Sequence, residues 1–279
     1  MSADTPQDHI SKKRVVYTMP GMDAVTVRRD VPYRITDAGA LTMDLYYPPD
    51  SKGTPCPAVV FVTGFADPGA EKMFGCRFKE MGSFVSWAQL AAASGIAAVT
   101  YANRQPAADV AAVLGHVRQN ATSFAIDANS IGVWSCSGHA PTALSLLLET
   151  ARANLKCAVL CYPFTLDLDG ASHVAAASSL WRFVNACAGR SVDDLARDVP
   201  LFIARAGRDR FPGLNEALDR FVAEALARNL PVTIVNQPEA PHAFDVFDDS
   251  ESSRDVIRRI LAFLQFHLAS ADSRKAARQ

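Results

Sequence analysis

The chain has no excess of charge in either direction: 28 lysines and arginines stand against 29 aspartates and glutamates in 279 residues, a formal net charge of −1. Without a basic field nothing draws in a phosphate backbone, so no nucleic-acid partner is expected. No apolar run approaches the ~18 residues of a membrane span, and the opening stretch MSADTPQDHISKKRVVYTMPG has no signal-type apolar core. The expectation is a cytoplasmic protein with no membrane partner. Cysteines are few and scattered, six with no CxxC pair, which excludes a disulfide framework as the basis of the fold. The histidines (His9, His116, His139, His173, His242, His267) form no HxxxH or HxH pair, so neither metal nor cofactor is expected. Internal repeats, low-complexity tracts and interdomain linkers are lacking too.

What the chain does have is apolar content, 49% of its residues, enough for one large core, and one domain over 1–279 is expected. Residues 1–22 read as a polar leader and 271–279 as a frayed, charged tail. Val25–Ile35 and Leu41–Tyr47 alternate like strands and are joined by the turn formers Asp37-Ala38-Gly39. Ala58–Val62, Ile96–Tyr101, Ile131–Trp134, Ala158–Tyr162, Leu201–Ala204 and Val232–Val235 are continuous apolar runs, the pattern of parallel strands covered on both faces.

Helical spacing fills the intervals. Val110, Val113, Leu114 and Val117 follow it behind Pro106, and Leu214, Ala217, Leu218, Phe221, Val222, Ala225 and Leu226 form a second stripe. A last helix spans Arg254–Leu268, with Ser252 and Asp255 spaced as a capping box. Strand and helix in alternation predict an α/β fold with a mostly parallel sheet of about eight strands. The interval 164–200, too long for an ordinary connection, reads as an inserted helical lid.

Three segments fall at carboxyl ends of predicted strands, where open α/β sheets bind ligands: Ser135-Cys136-Ser137-Gly138-His139, Gly207-Arg208-Asp209 and Pro241-His242. A hydroxyl becomes a useful nucleophile when an imidazole takes its proton and a carboxylate orients that imidazole. Taken singly, Ser137 is a helix cap, Asp209 another and His242 a loop residue; their joint occurrence at three strand ends points to chemistry. The Gly138 N–H at the helix start and the Phe65 N–H after the Val60 strand are the candidate oxyanion donors. Cys136, His139, Trp181 and Phe183 are candidate pocket residues. An exposed, partly packed imidazole is the competing reading of His139, and lid packing that of Trp181 and Phe183.

On "MDLYYPP" (Met43–Pro49), "VVFVTGF" (Val59–Phe65), "IDANSIGVWSCSG" (Ile126–Gly138), "GRDRFPGLN" (Gly207–Asn215) and "PHAFD" (Pro241–Asp245), the sequence resembles the α/β-hydrolases, near the dienelactone-hydrolase-like serine esterases. The resemblance covers about Val25 to Leu268. It implies an α/β-hydrolase fold, a triad of Ser137, Asp209 and His242, an oxyanion hole at Gly138 and Phe65, and a small-molecule ester as substrate. Thr63-Gly64 stands where His-Gly is usual, and His139 where the strained turn around the nucleophile ordinarily has a small residue. That turn needs small residues on both sides, and Ser137 satisfies this better than Cys136, flanked by Trp134, or Ser135, flanked by Val133. The reading is a serine hydrolase of carboxylic esters; the alternatives are a silent binding protein on the same fold and an acyltransferase using the same triad.

Overall fold

The computed structural model describes residues 9–49, 51, 53–148, 153–166 and 173–269. Eight strands form one sheet: β1 (Thr26–Thr36), β2 (Gly39–Tyr47), β3 (Cys56–Phe61), β4 (Ala97–Tyr101), β5 (Ile126–Cys136), β6 (Ala158–Cys161), β7 (Leu201–Ala206) and β8 (Val232–Gln237). Their order is β1-β2-β4-β3-β5-β6-β7-β8. β1 and β2 are an antiparallel hairpin closing with Thr36 opposite Gly39, and β2 runs antiparallel to β4. From β4 to β8 every pairing is parallel. Ala58, Val59, Val60 and Phe61 of β3 are all buried, as are Ile131, Val133 and Trp134 of β5. That two-sided burial is what their unbroken apolar runs encode.

Helices cover both faces. On one side α3 (Pro106–Gln119), α4 (Ala140–Ser145) and α6 (Leu214–Ala227) pack through Val110, Val113, Leu114, Leu144, Leu218 and Phe221. On the other lie α2 (Gly82–Ala93) and α8 (Glu251–Leu268), through Phe84, Trp87, Leu90, Ile257, Ile260 and Leu264. Periodicity does not reveal α2. It is apolar on nearly every side, because it fills the space between the sheet and the chain's first turns, and so carries no polar stripe. A short α1 (Asp67–Phe74) follows β3, and a one-turn α7 (Phe244–Phe247) precedes α8.

Three expectations are corrected. The last helix begins at Glu251, and its cap is Ser250, whose Oγ accepts the Ser253 N–H at 3.2 Å. Ser252 instead takes a hydrogen bond from the Gln237 side chain and Asp255 pairs with Arg259, so the Ser252/Asp255 box does not form. Residues 9–24 are also more than a polar leader: two 3₁₀ turns, Ile10–Lys12 and Met22–Ala24, bury Ser11, Val15 and Met22. Within the expected lid, α5 (His173–Trp181) sets Val174 and Ala177 against Phe164, Phe183, Leu214 and Ala217. Residues 167–172 of that segment, 1–8 of the leader and the whole tail 271–279 lie outside the described residues. Among the described residues no helix is long and apolar enough to cross a membrane, and no cluster of His, Cys, Asp and Glu could hold a metal. All six cysteines are free thiols.

Candidate active site

β5 ends at Cys136, and the chain turns into α4 through a 3₁₀ turn, Ser137–His139. Ser137 sits at the apex with φ of +49°, in a left-handed region that costs a non-glycine residue about 1–2 kcal/mol. The backbone tolerates this because neighbours hold both sides of the bend. The Ser137 carbonyl accepts the Phe164 N–H at 3.2 Å, and Cys136 continues the β5–β6 ladder opposite Cys161. Tyr162 and Ala243, which flank the same spot, also have positive φ, +37° and +55°.

The three strand ends converge here. His242 Nε2 lies 2.8 Å from Ser137 Oγ, and His242 Nδ1 lies 2.5 Å from Asp209 Oδ2. A carboxylate only accepts, so Nδ1 carries the proton and Nε2 is left to accept from the Ser137 hydroxyl. The Asp209 side chain is fully enclosed, and its second oxygen accepts the Phe211 N–H at 2.9 Å. The imidazole of His242 is held edge-on between two rings, Phe211 at 4.4 Å and Tyr162 at 4.7 Å between centroids. Its orientation is therefore fixed by packing as well as by Asp209.

The turn after β3 faces the elbow. Its backbone groups can be accounted for one by one. The Thr63 N–H donates to the Tyr101 hydroxyl at 3.2 Å, and the Gly64 N–H to His139 Nδ1 at 2.8 Å. The Gly64 carbonyl accepts from Val184 N–H, and Asn103 Nδ2 bridges Thr63 Oγ1 and the Phe65 carbonyl. Phe65 follows Gly64 in this turn and Gly138 lies in the 3₁₀ turn that begins at Ser137, so the two expected donors belong to facing segments. Gly64 is obligatory at this approach: a Cβ there would meet the Gly138 carbonyl oxygen at 2.5 Å.

The four candidate pocket residues separate. Cys136 and His139 line a small cavity of about 120 Å³ that also touches Ser137 and His242. Trp181 lines a larger open cavity of about 600 Å³ on the far side of His242, with Phe211 and Pro241. Phe183 lines neither; its ring is buried against Gly138, where a Cβ would lie 2.6 Å from it. His139 is not an exposed imidazole. It is 4% exposed, ringed by Phe65, Phe78 and Phe84, and burial drives its pKa down to about 3. Burial likewise pushes the Cys136 thiol well above its ordinary value.

Several residues of the site escape sequence reading. Tyr162, at the end of β6, donates to the buried Asp245 at 2.7 Å, and Trp87 Nε1 donates to the other oxygen of that carboxylate at 2.7 Å. Asp245 stands in the PHAFD motif, and its position three residues after His242 was the available signal. Phe211 likewise stands in the GRDRFPGLN motif, two residues after Asp209; Asn103 carries no such signal.

No family model matches the chain, and no curated protein matches it in sequence. Solved structures do. A fungal esterase from Rhizomucor miehei superposes with a TM-score of 0.67 at 16% identity over 92% of this chain and 86% of that one. Esterase 2 of Thermogutta terrifontis gives 0.65 at 17% identity over 90% and 96%. An α/β-hydrolase enzyme from the Lake Arreo metagenome gives 0.66 at 17% over 90% and 87%. The fold is that of the α/β-hydrolases. The expected fold class therefore stands in its eight-stranded, mostly parallel sheet flanked by helices.

Proposed function

We propose that this α/β-hydrolase-fold chain is a serine hydrolase that cleaves carboxylic esters through an acyl-enzyme on Ser137. The observation that carries the reading is the continuous relay from Asp209 through His242 to Ser137, at 2.5 and 2.8 Å, ending on a serine held in a left-handed turn. In the first half-reaction Ser137 Oγ attacks the ester carbonyl carbon while its proton passes to His242 Nε2. The carbonyl oxygen, gaining negative charge, is received by the N–H groups of Gly138 and Phe65. Collapse breaks the bond to the alkoxy oxygen, which takes the proton from His242 and leaves as the alcohol. Water then repeats the sequence on the acyl-enzyme and releases the carboxylic acid. Asp209 orients His242 and stabilises its transient positive charge. The motifs at Val59–Phe65 and Pro241–Asp245 support the dienelactone-hydrolase-like branch, with a serine as nucleophile.

The test is covalent labelling. A fluorophosphonate modifies a serine activated by a base and an oxyanion hole, and leaves an ordinary capping hydroxyl alone. Peptide mapping should find one adduct, on Ser137, absent in His242→Ala. Ester turnover in Ser137→Ala and His242→Ala should fall by ~10³-fold or more, with a smaller loss in Asp209→Asn. Folded protein that takes no label and turns over no ester would move the chain to the silent, ligand-binding reading.

A further inference from the structure

The cavity of about 120 Å³ beside Ser137 lies on the α2 and α8 side of the sheet, walled by Phe78, Met81, Trp87 and Trp134, with Ile10 of the first 3₁₀ turn and Phe247 of α7 at its edges. The cavity across His242 is five times larger at about 600 Å³, and its lining includes Trp181, Arg208 and Arg210. An ester enzyme treats the two halves of its substrate unequally. The alcohol must depart and be replaced by water while the acyl group stays attached. The open cavity, on the side of the proton-carrying His242, suits the group that leaves, and the small one suits the group that stays.

We propose that the cavity bounded by Ile10 and Phe247 is the acyl pocket of this enzyme, that it admits unbranched acyl groups of up to about four carbons, and that the N-terminal segment sets this limit. The proposal rests on Ser137 being the acylated residue. The size follows from volume: a dry cavity of about 150 Å³ takes a six-carbon ring, so the smaller space here takes a shorter chain. The chemistry follows from the wall. Two of its polar side chains, Tyr162 and Trp87, are taken up by Asp245; Trp134 Nε1 has no partner, and most of the remaining wall, Phe78, Met81, Phe84 and Phe247 among it, is hydrocarbon.

The N-terminal segment is fastened in place rather than laid loosely across the opening. Val15 N–H donates to Ser86 Oγ of α2 at 3.0 Å, and Val16 N–H donates to the Asp245 carbonyl at 2.8 Å. Arg14 reaches Gln89 at 2.6 Å. The segment runs so close to the start of α2 that a Cβ on Gly82 would sit 2.7 Å from the Lys13 carbonyl oxygen and 2.8 Å from that of Lys12. A side chain at Gly82 cannot be added without a shift of the Lys12–Lys13 backbone against the start of α2, a shift that would loosen the segment carrying Ile10.

The experiment is an acyl-length series of p-nitrophenyl esters from acetate to laurate, with pre-steady-state burst amplitude measured on the acetate. In the wild type kcat/KM should rise about fourfold per methylene up to butyrate, the worth of one buried CH₂, and fall at least about tenfold by octanoate as the chain outgrows the pocket. Gly82→Val should raise the octanoate-to-butyrate ratio about tenfold by displacing the segment. Phe247→Ala tests the opposite edge at a residue 53% exposed, where folding is not at stake, and should shift the ratio the same way. A burst with acetate combined with a wild-type preference for octanoate or laurate overturns the pocket and leaves the esterase reading intact. A ratio unchanged in both folded variants does the same. No burst and no turnover with any ester overturns the esterase reading, and the pocket falls with it.

Discussion

His139→Phe separates the two histidines of the site. The imidazole of His139 is buried, neutral and the acceptor of the Gly64 N–H at 2.8 Å. Phenylalanine keeps a flat ring among Phe65, Phe78 and Phe84 and removes the acceptor. Near pH 7.5 the variant should lose about 1–3 kcal/mol of stability, the cost of a buried N–H without a partner. The same hydrogen bond fixes the residue next to Phe65, so misplacing that N–H should lower kcat/KM by about 10²-fold, mostly in kcat.

The pH dependence gives the sharper test. Burial holds the pKa of His139 at about 3 in the fold, against an ordinary 6.5 in the unfolded chain. Between those values the unfolded chain binds the extra proton, so the wild type loses stability as pH falls from 6.5 toward 3, by about 1.4 kcal/mol per unit. His139→Phe has no such group. Its deficit at pH 7.5 should therefore shrink by about 2.7 kcal/mol by pH 4.5, bringing the two proteins level or reversing their order in urea titrations. A deficit constant between pH 7.5 and 4.5 would refute the buried neutral imidazole. Turnover within about twofold of wild type would refute the link from His139 to the Phe65 N–H.

Ser137→Gly should fold more stably than Ser137→Ala by about 1 kcal/mol, because glycine occupies φ of +49° without strain, while both variants lose turnover; equal melting temperatures would count against strain at the elbow. Iodoacetamide should leave activity largely intact, since the Cys136 thiol is buried and its pKa raised by that burial; rapid inactivation with label on Cys136 would shift the nucleophile by one residue. Burial raises the pKa of Asp67 to about 7, with one oxygen accepting the Asn103 N–H and the other unpartnered. The fold thus keeps a proton that the unfolded chain releases near pH 3.8, and stability falls as pH rises between the two. Asp67→Asn should be more stable than wild type at pH 8, by up to about 4 kcal/mol, with the gap closing toward pH 4; a pH-independent gap would contradict the buried protonated carboxyl.

The parts of this molecule that sequence reveals are those written in local periodicity. Strands buried on both faces carry few polar residues, so Ala58–Phe61 of β3, Ile131–Trp134 of β5, Ala158–Cys161 of β6 and Leu201–Ala204 of β7 show as unbroken apolar runs, and Ser137 after β5 and Asp209 after β7 stand out against that background; His242 follows β8, a half-exposed strand. Helix α2 is hidden for the opposite reason: enclosed almost all round, it has no polar face to set its period. The residues that hold the site in shape are hidden because their meaning lies in pairings across the chain. Gly64 and His139 are separated by 75 positions, Asn103 and Thr63 by 40, and Trp87 and Asp245 by 158. Each alone is an unremarkable polar or aromatic residue. His139 shows the consequence most clearly. Judged by the usual elbow it is a misfit, too large for its place; in the fold its bulk fills the space between three phenylalanines, and its ring nitrogen takes the place of a backbone acceptor for the turn that carries Phe65. The departure from the expected pattern and the support of the turn that carries Phe65 are one feature, which only the pairing with Gly64 makes visible.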